Sequence, residues 1–124
     1  MKLAGSNLIK AKEKKPDLTN VTFAHTILPN ISMPDQSVDV VLSNCVLNLL
    51  PDSEKPAVWK EIARVLRKDG RVCVSDVCAR KDLPAHAKKD AAMLVGCVAG
   101  AALVGDVKSW MVEAGFEGRW LKTF

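Results

Sequence analysis

The stretch Ser37-Val38-Asp39-Val40-Val41-Leu42-Ser43-Asn44-Cys45-Val46-Leu47-Asn48-Leu49 decides the fold. Val38, Val40, Val41 and Leu42 make a short β-branched run that is apolar on both faces once extended. Such a strand belongs in the interior of a parallel sheet, where helices cover both sides. Ser43-Asn44-Cys45 follows at the carboxyl end of that strand, where open α/β sheets bind their ligands. One strand and one candidate functional turn are therefore predicted side by side.

Working outward, Pro51-Asp52-Ser53-Glu54 reads as a helix start. Val58, Trp59, Ile62, Ala63, Val65 and Leu66 then recur at the spacing of one helical face. Lys68-Asp69-Gly70 is expected to end this helix, with Gly70 in the left-handed cap position. Arg71 to Val77 is the next predicted strand, and two further helices are predicted over 84–104 and 106–115, the second capped by Gly115. Arg119-Trp120-Leu121-Lys122 could begin one more strand. On the amino-terminal side, residues 2–15 suggest an amphipathic helix ended before Pro16, and Val21-Thr22-Phe23-Ala24 a short strand. Residues 26–37, with Pro29, Asn30, Pro34 and Asp35, form a loop. Strands alternating with helices point to a parallel α/β sheet with right-handed crossovers.

The 124 residues make one domain at most, and 48% hydrophobic with 26% charged is an ordinary globular balance. With 5% aromatics and no Tyr, the core must be aliphatic. The net charge is +4, but its densest cluster, Lys10, Lys12, Lys14 and Lys15, closes a predicted helix. Cations there complement the helix dipole, and no aromatics interleave to stack on bases, so no nucleic-acid partner is expected. Met1 to Ser6 does not lead into a secretory core, which suggests a non-secreted protein, cytoplasmic or organellar. The apolar run Ala91–Val104 is too short for a membrane span. Its Gly96 and Gly100 read as small residues permitting close packing. Four cysteines, at 45, 73, 78 and 97, contain no Cys-x-x-Cys pair, so neither a disulfide scaffold nor a local zinc motif is indicated.

An acidic residue in a strand, a helix ending Arg64-Val65-Leu66-Arg67 before Gly70, and a strand closing on Ser75-Asp76 together resemble the class I S-adenosylmethionine-dependent methyltransferases. The string Ser43-Asn44-Cys45-Val46-Leu47-Asn48-Leu49 is similar more specifically to the arsenite methyltransferases. So are Cys97-Val98-Ala99-Gly100-Ala101 and the preceding Leu83-Pro84. The resemblance covers almost the whole chain and corresponds to the carboxyl-terminal part of the catalytic domain. It implies that residues 1–124 form a partial Rossmann-like class I methyltransferase sheet, α/β with parallel strands and flanking helices, whose first two strands are absent.

The resemblance also implies a chemistry. In that family a methyl group passes from S-adenosylmethionine to trivalent arsenic held by cysteine thiolates. Trivalent arsenic is a soft centre and thiolates are its natural ligands. Two sulfurs leave the arsenic lone pair free to react. By resemblance, Cys45 and Cys97 are the arsenic ligands, and Asn44 and Val46 form an edge of the cofactor site. Cys73 and Cys78 match no family motif and read as small apolar filler. The family's Gly-rich cofactor loop has no counterpart, since the chain contains no Gly-x-Gly. The stretch near Ile27-Leu28-Pro29, where an acidic contact is common, also carries no carboxylate.

Two functions follow as expectations. One is an arsenite methyltransferase-like protein that neither binds S-adenosylmethionine nor acts as this chain alone. The alternative is a non-catalytic methyltransferase remnant serving as a structural or accessory subunit of a larger assembly. In either case the strands at 21–24 and 38–42 flank the two missing ones, and 38–42 becomes an apolar edge, a template for association. That edge is expected to be covered by another protein chain, by a second copy, or by the early strand slipping in beside it.

Overall fold

The computed structural model describes residues 13–14, 19–84 and 97–118. Two strands, β1 (Val38–Asn44) and β2 (Leu66–Ser75), pair in parallel and are joined through helix α1 (Lys55–Val65). Helix α2 (Val104–Glu113) follows a turn-rich segment from Cys97. The predicted α/β architecture is thus present as a strand–helix–strand unit with a second helix. Glu13 and Lys14 are helical; the rest of the helix expected over 2–15 lies outside the described residues, as do 85–96 and 119–124.

One face of the sheet is packed and the other is bare. Val41 pairs with Val72 and Ser43 with Val74, and these valines pack against the core of Leu47, Val58, Trp59, Ile62 and Leu66. Trp59 meets Phe116 edge-on at 6.0 Å between ring centroids, tying α1 to the segment after α2. The opposite face carries Val40, Leu42 and Cys73, with Val40 53% and Leu42 77% exposed. Period-two alternation accounts for this split. The sequence signal for a two-sided apolar strand is real, but the described residues cover only one of its sides.

Several expectations are corrected. Val21–Ala24 is not a strand: residues 21–27 carry no ladder hydrogen bonds, and the segment does not slip in beside β1. Local propensity could not supply the neighbour that a strand needs. Helix α1 ends at Val65, not near Gly70, because Leu66 turns extended and enters β2. Gly70 is required by space rather than by a left-handed φ. It sits where the register slips between Val38 and Val40, and a Cβ there would meet the Arg67 carbonyl and the Leu66 side chain at 2.9 Å. Residues 97–103 are turns instead of the end of a helix over 84–104. Gly115, with φ +89°, does take the left-handed cap after α2.

The loop over 26–37 is fastened to α1. Glu61 accepts the backbone N–H of Ile31 at 2.8 Å and two bonds from the Arg64 guanidinium, which also reaches the Ile31 carbonyl and Asp35. These donors, Arg64 first and the Ile31 amide next, hold the Glu61 carboxyl down at about 2 against an ordinary 4.5. On the other side of the molecule Ala79 bonds both Ala102 and Val104, so the chain leaving β2 carries the Cys97 turn alongside it.

Candidate functional site

The carboxyl ends of parallel strands lie together, so the turns leaving β1 and β2 are neighbours from the start. The Cys45 amide donates to the Ser75 carbonyl at 2.9 Å, which holds the first turn against the end of β2. The Cys97 turn closes over both, its Sγ lying 3.4 Å from the Cys45 carbonyl oxygen. The two sulfurs and a carboxylate oxygen of Asp76 all lie within 4.8 Å of one another. The two expected cysteines, 52 residues apart, are therefore brought to one place.

Both cysteines adopt left-handed backbone conformations, with φ 53° at Cys45 and 60° at Cys97. For a residue with a Cβ this costs about 1–2 kcal/mol. Strain of this kind persists only where surrounding structure enforces it. Here the enforcement is visible. Asn48, 4% exposed, donates from its amide nitrogen to the Val77 carbonyl at 2.7 Å and the Cys97 carbonyl at 3.1 Å. Lys55, 2% exposed, donates to the Gly100 carbonyl at 2.6 Å and to Asp52 at 2.5 Å. Gly100 in turn lies against the Asn48 backbone. The Cys97 turn is thus held from both ends by α1 and by the 3-10 turn Leu47–Leu49.

The site is open on one side. Cys45 is exposed whereas Cys97 is buried. Burial first, then the hydrogen bond to Cys45 and the nearness of Cys45 and Asp76, push the Cys97 thiol up. Asp76 is oriented by two backbone amides, those of Leu47 at 3.0 Å and Val77 at 3.2 Å. Cys78 is half-buried, and its thiol is pushed up by burial and by Asp76. Cys73 stands exposed on the bare sheet face, so the filler role expected of it does not hold.

Asn44 and Val46 stand at the open side of the same turn, Asn44 exposed and Val46 39% exposed. Together they make one edge, not an enclosure. Among the described residues no glycine-rich turn follows either strand. Lys55 was missed at the sequence level; Asn48 and Asp76 stood inside the quoted motifs without a role at the site, and Gly100 was expected to permit close packing, as it does against Asn48. The adjacency of two parallel strand ends could have pointed to Asp76, which directly follows β2.

Comparison with known proteins follows the same lines. Residues 6–115 match the family model described as a methyltransferase domain. The chain is 46% identical over 110 residues to an arsenite methyltransferase of Halobacterium salinarum, covering 87% of this chain and 28% of that protein. It is 34% identical over 100 residues to the arsenite methyltransferase of Mus musculus, covering 78% of this chain and 26% of that one. The crystal structure of an arsenic(III) S-adenosylmethionine methyltransferase from Chlamydomonas reinhardtii superposes with a TM-score of 0.59 at 37% identity, over 68% of this chain and 27% of that one. The chain spans little more than a quarter of the length of the relatives it matches.

Proposed function

The chain belongs to the methyltransferase-domain family, and from that membership we propose that it carries the arsenic-binding part of an arsenite methyltransferase. The observation that supports this reading is the meeting of Cys45 and Cys97 at the carboxyl ends of β1 and β2. Their thiols would chelate trivalent arsenic. Each As–S bond that forms displaces one hydroxide from arsenous acid, which leaves as water with the thiol proton. Arsenic ends as a dithiolate with one remaining hydroxide and its lone pair free. Exposed Cys45 meets the incoming arsenic first, and buried Cys97 completes the chelate.

The test is titration of the full chain with arsenite, followed by calorimetry. Cys45→Ser and Cys97→Ser should each weaken binding by roughly a hundredfold, because a chelate gives way to a single attachment. Cys73→Ser and Cys78→Ser should leave it unchanged. Binding that survives either site substitution would end this reading.

S-adenosylmethionine enters at the level of the family, as the methyl donor. In our reading residues 1–124 are part of a methyltransferase domain, and this chain alone does not bind the cofactor. A protein partner, another chain or a second copy, covers the open edge of β1. The unpaired edge of β1, with Val40 and Leu42 exposed on the sheet face beside it, supports that partner and equally supports the second reading, an accessory subunit without catalysis. Calorimetric binding of S-adenosylmethionine to the chain alone would overturn both the claim that it does not bind the cofactor and the accessory reading.

A further inference from the structure

We propose that Cys45, Asp76 and Cys97 form a binding site for a thiophilic divalent cation of the zinc class, with a fourth coordination position open to solvent. The site shares its two cysteines with the arsenic reading but adds Asp76, so the two assignments can fail separately.

The donor set is two sulfurs and one carboxylate oxygen, each from a different turn, all within 4.8 Å of one another. Ligands arranged around zinc stand roughly 3.5–3.8 Å apart, given bond lengths of about 2.3 Å to sulfur and 2.0–2.2 Å to oxygen. The observed spacing is at most 4.8 Å, about 1 Å wider than that. Three protein ligands with one open position is the arrangement of reactive zinc sites, as distinct from closed structural ones. Exposed Cys45 forms the entry side and buried Cys97 the floor.

The surroundings hold each ligand in place. Asp76 receives one backbone amide on each oxygen, from Val77 and from Leu47. A carboxylate accepts at about four positions, so both oxygens retain capacity for a cation. Partners of this kind fix ligand orientation and are worth about 10–100-fold in affinity. Asn48 fixes the Cys97 carbonyl, and the Ser75 carbonyl fixes the Cys45 amide. Among the described residues no lysine or arginine pairs with Asp76, so its charge is not already balanced there. A divalent cation would balance a site that collects three potential anions.

The proposal is tested on the full chain by zinc titration against a chromophoric chelator, with cadmium as the spectroscopic probe of thiolate ligation. One equivalent should bind, and cadmium should give ultraviolet thiolate charge-transfer absorption that Cys45→Ser or Cys97→Ser removes. Asp76→Asn should weaken zinc binding at least about tenfold while leaving arsenite binding in place, and Asp76→Glu should recover part of the zinc affinity. Absence of stoichiometric zinc in the unaltered chain would overturn the proposal. So would zinc affinity indifferent to Asp76→Asn, or zinc and arsenite binding lost together in that variant. Zinc bound by a chain that ignores arsenite would retire the arsenic reading and leave this one standing.

Discussion

Gly100 lies so close to Asn48 that a Cβ on Gly100 would stand 1.9 Å from the Asn48 carbonyl oxygen. The contact is backbone against backbone, so no side chain can rotate to relieve it. Through it the Cys97 turn is pressed onto the turn that follows Cys45. Gly100→Ala should therefore cost about 1–3 kcal/mol of stability, as overpacking of a dense region does. It should also reduce arsenite binding by more than that destabilisation alone. Denaturant unfolding and arsenite titration of the same variant measure the two effects, and unchanged arsenite binding would show that this contact does not set the thiol spacing.

Asn48 bridges two carbonyls from separate segments, and its amide is buried. Asn48→Leu removes both donors and leaves the Val77 and Cys97 carbonyls without this partner, at a cost of about 1–3 kcal/mol each when no water replaces it. Asn48→Asp should be worse, since a carboxylate would face two carbonyl oxygens. The distance between the two thiols can be followed with a short bifunctional thiol crosslinker. Cys45–Cys97 crosslinking should fall in both variants while Cys73 alkylation stays constant.

How far the sequence announced this arrangement depends on the range of the forces involved. Val38–Leu42 was legible because a β-branched apolar run records its own environment. The stripe from Val58 to Leu66 was legible for the same reason, as a period. Val21–Ala24 looked like a strand, but no ladder partner stands beside it among the described residues. Gly70 was expected to serve a left-handed cap, and it serves instead to let the irregular start of β2 fold close over its own Arg67 and against Asp39 of β1. Cys45 and Cys97 were reached by a motif resemblance. Asn48 and Asp76 stood inside the matching motifs without a role, and Lys55 in none, because their partners lie 29 to 49 residues away and leave no local pattern.

Glu61 ties stability to pH. Its carboxyl is held at about 2, below its ordinary 4.5, chiefly by Arg64 and the Ile31 amide. A depressed folded-state value contributes stability that is full above about 4.5 and is lost as the pH falls toward 2. Acid unfolding should therefore steepen across that window. Glu61→Gln removes the titration, so its stability should be lower at neutral pH and flatter through the window. Urea midpoints measured between neutrality and strong acid check the sign. A variant whose acid limb matches the unaltered chain would contradict it.

The bare sheet face should govern self-association. Leu42 is 77% exposed on this face, so Leu42→Lys should change stability by no more than about 0.5 kcal/mol. A charge on this face opposes its burial against a second copy, because burying an unpaired charge is costly. Light scattering across a concentration series should show association weakened in this variant. Equal association in both proteins would mean that another surface mediates it.

The central claim is that two distant cysteines act as one arsenic chelate. X-ray absorption at the arsenic edge, on the full chain loaded with arsenite, tests it most directly. Two sulfur neighbours and one oxygen are expected, falling to a single sulfur in either Cys45→Ser or Cys97→Ser and unaltered by Cys73→Ser with Cys78→Ser. An arsenic shell of oxygens alone, or a sulfur count that follows Cys73 or Cys78, would contradict it.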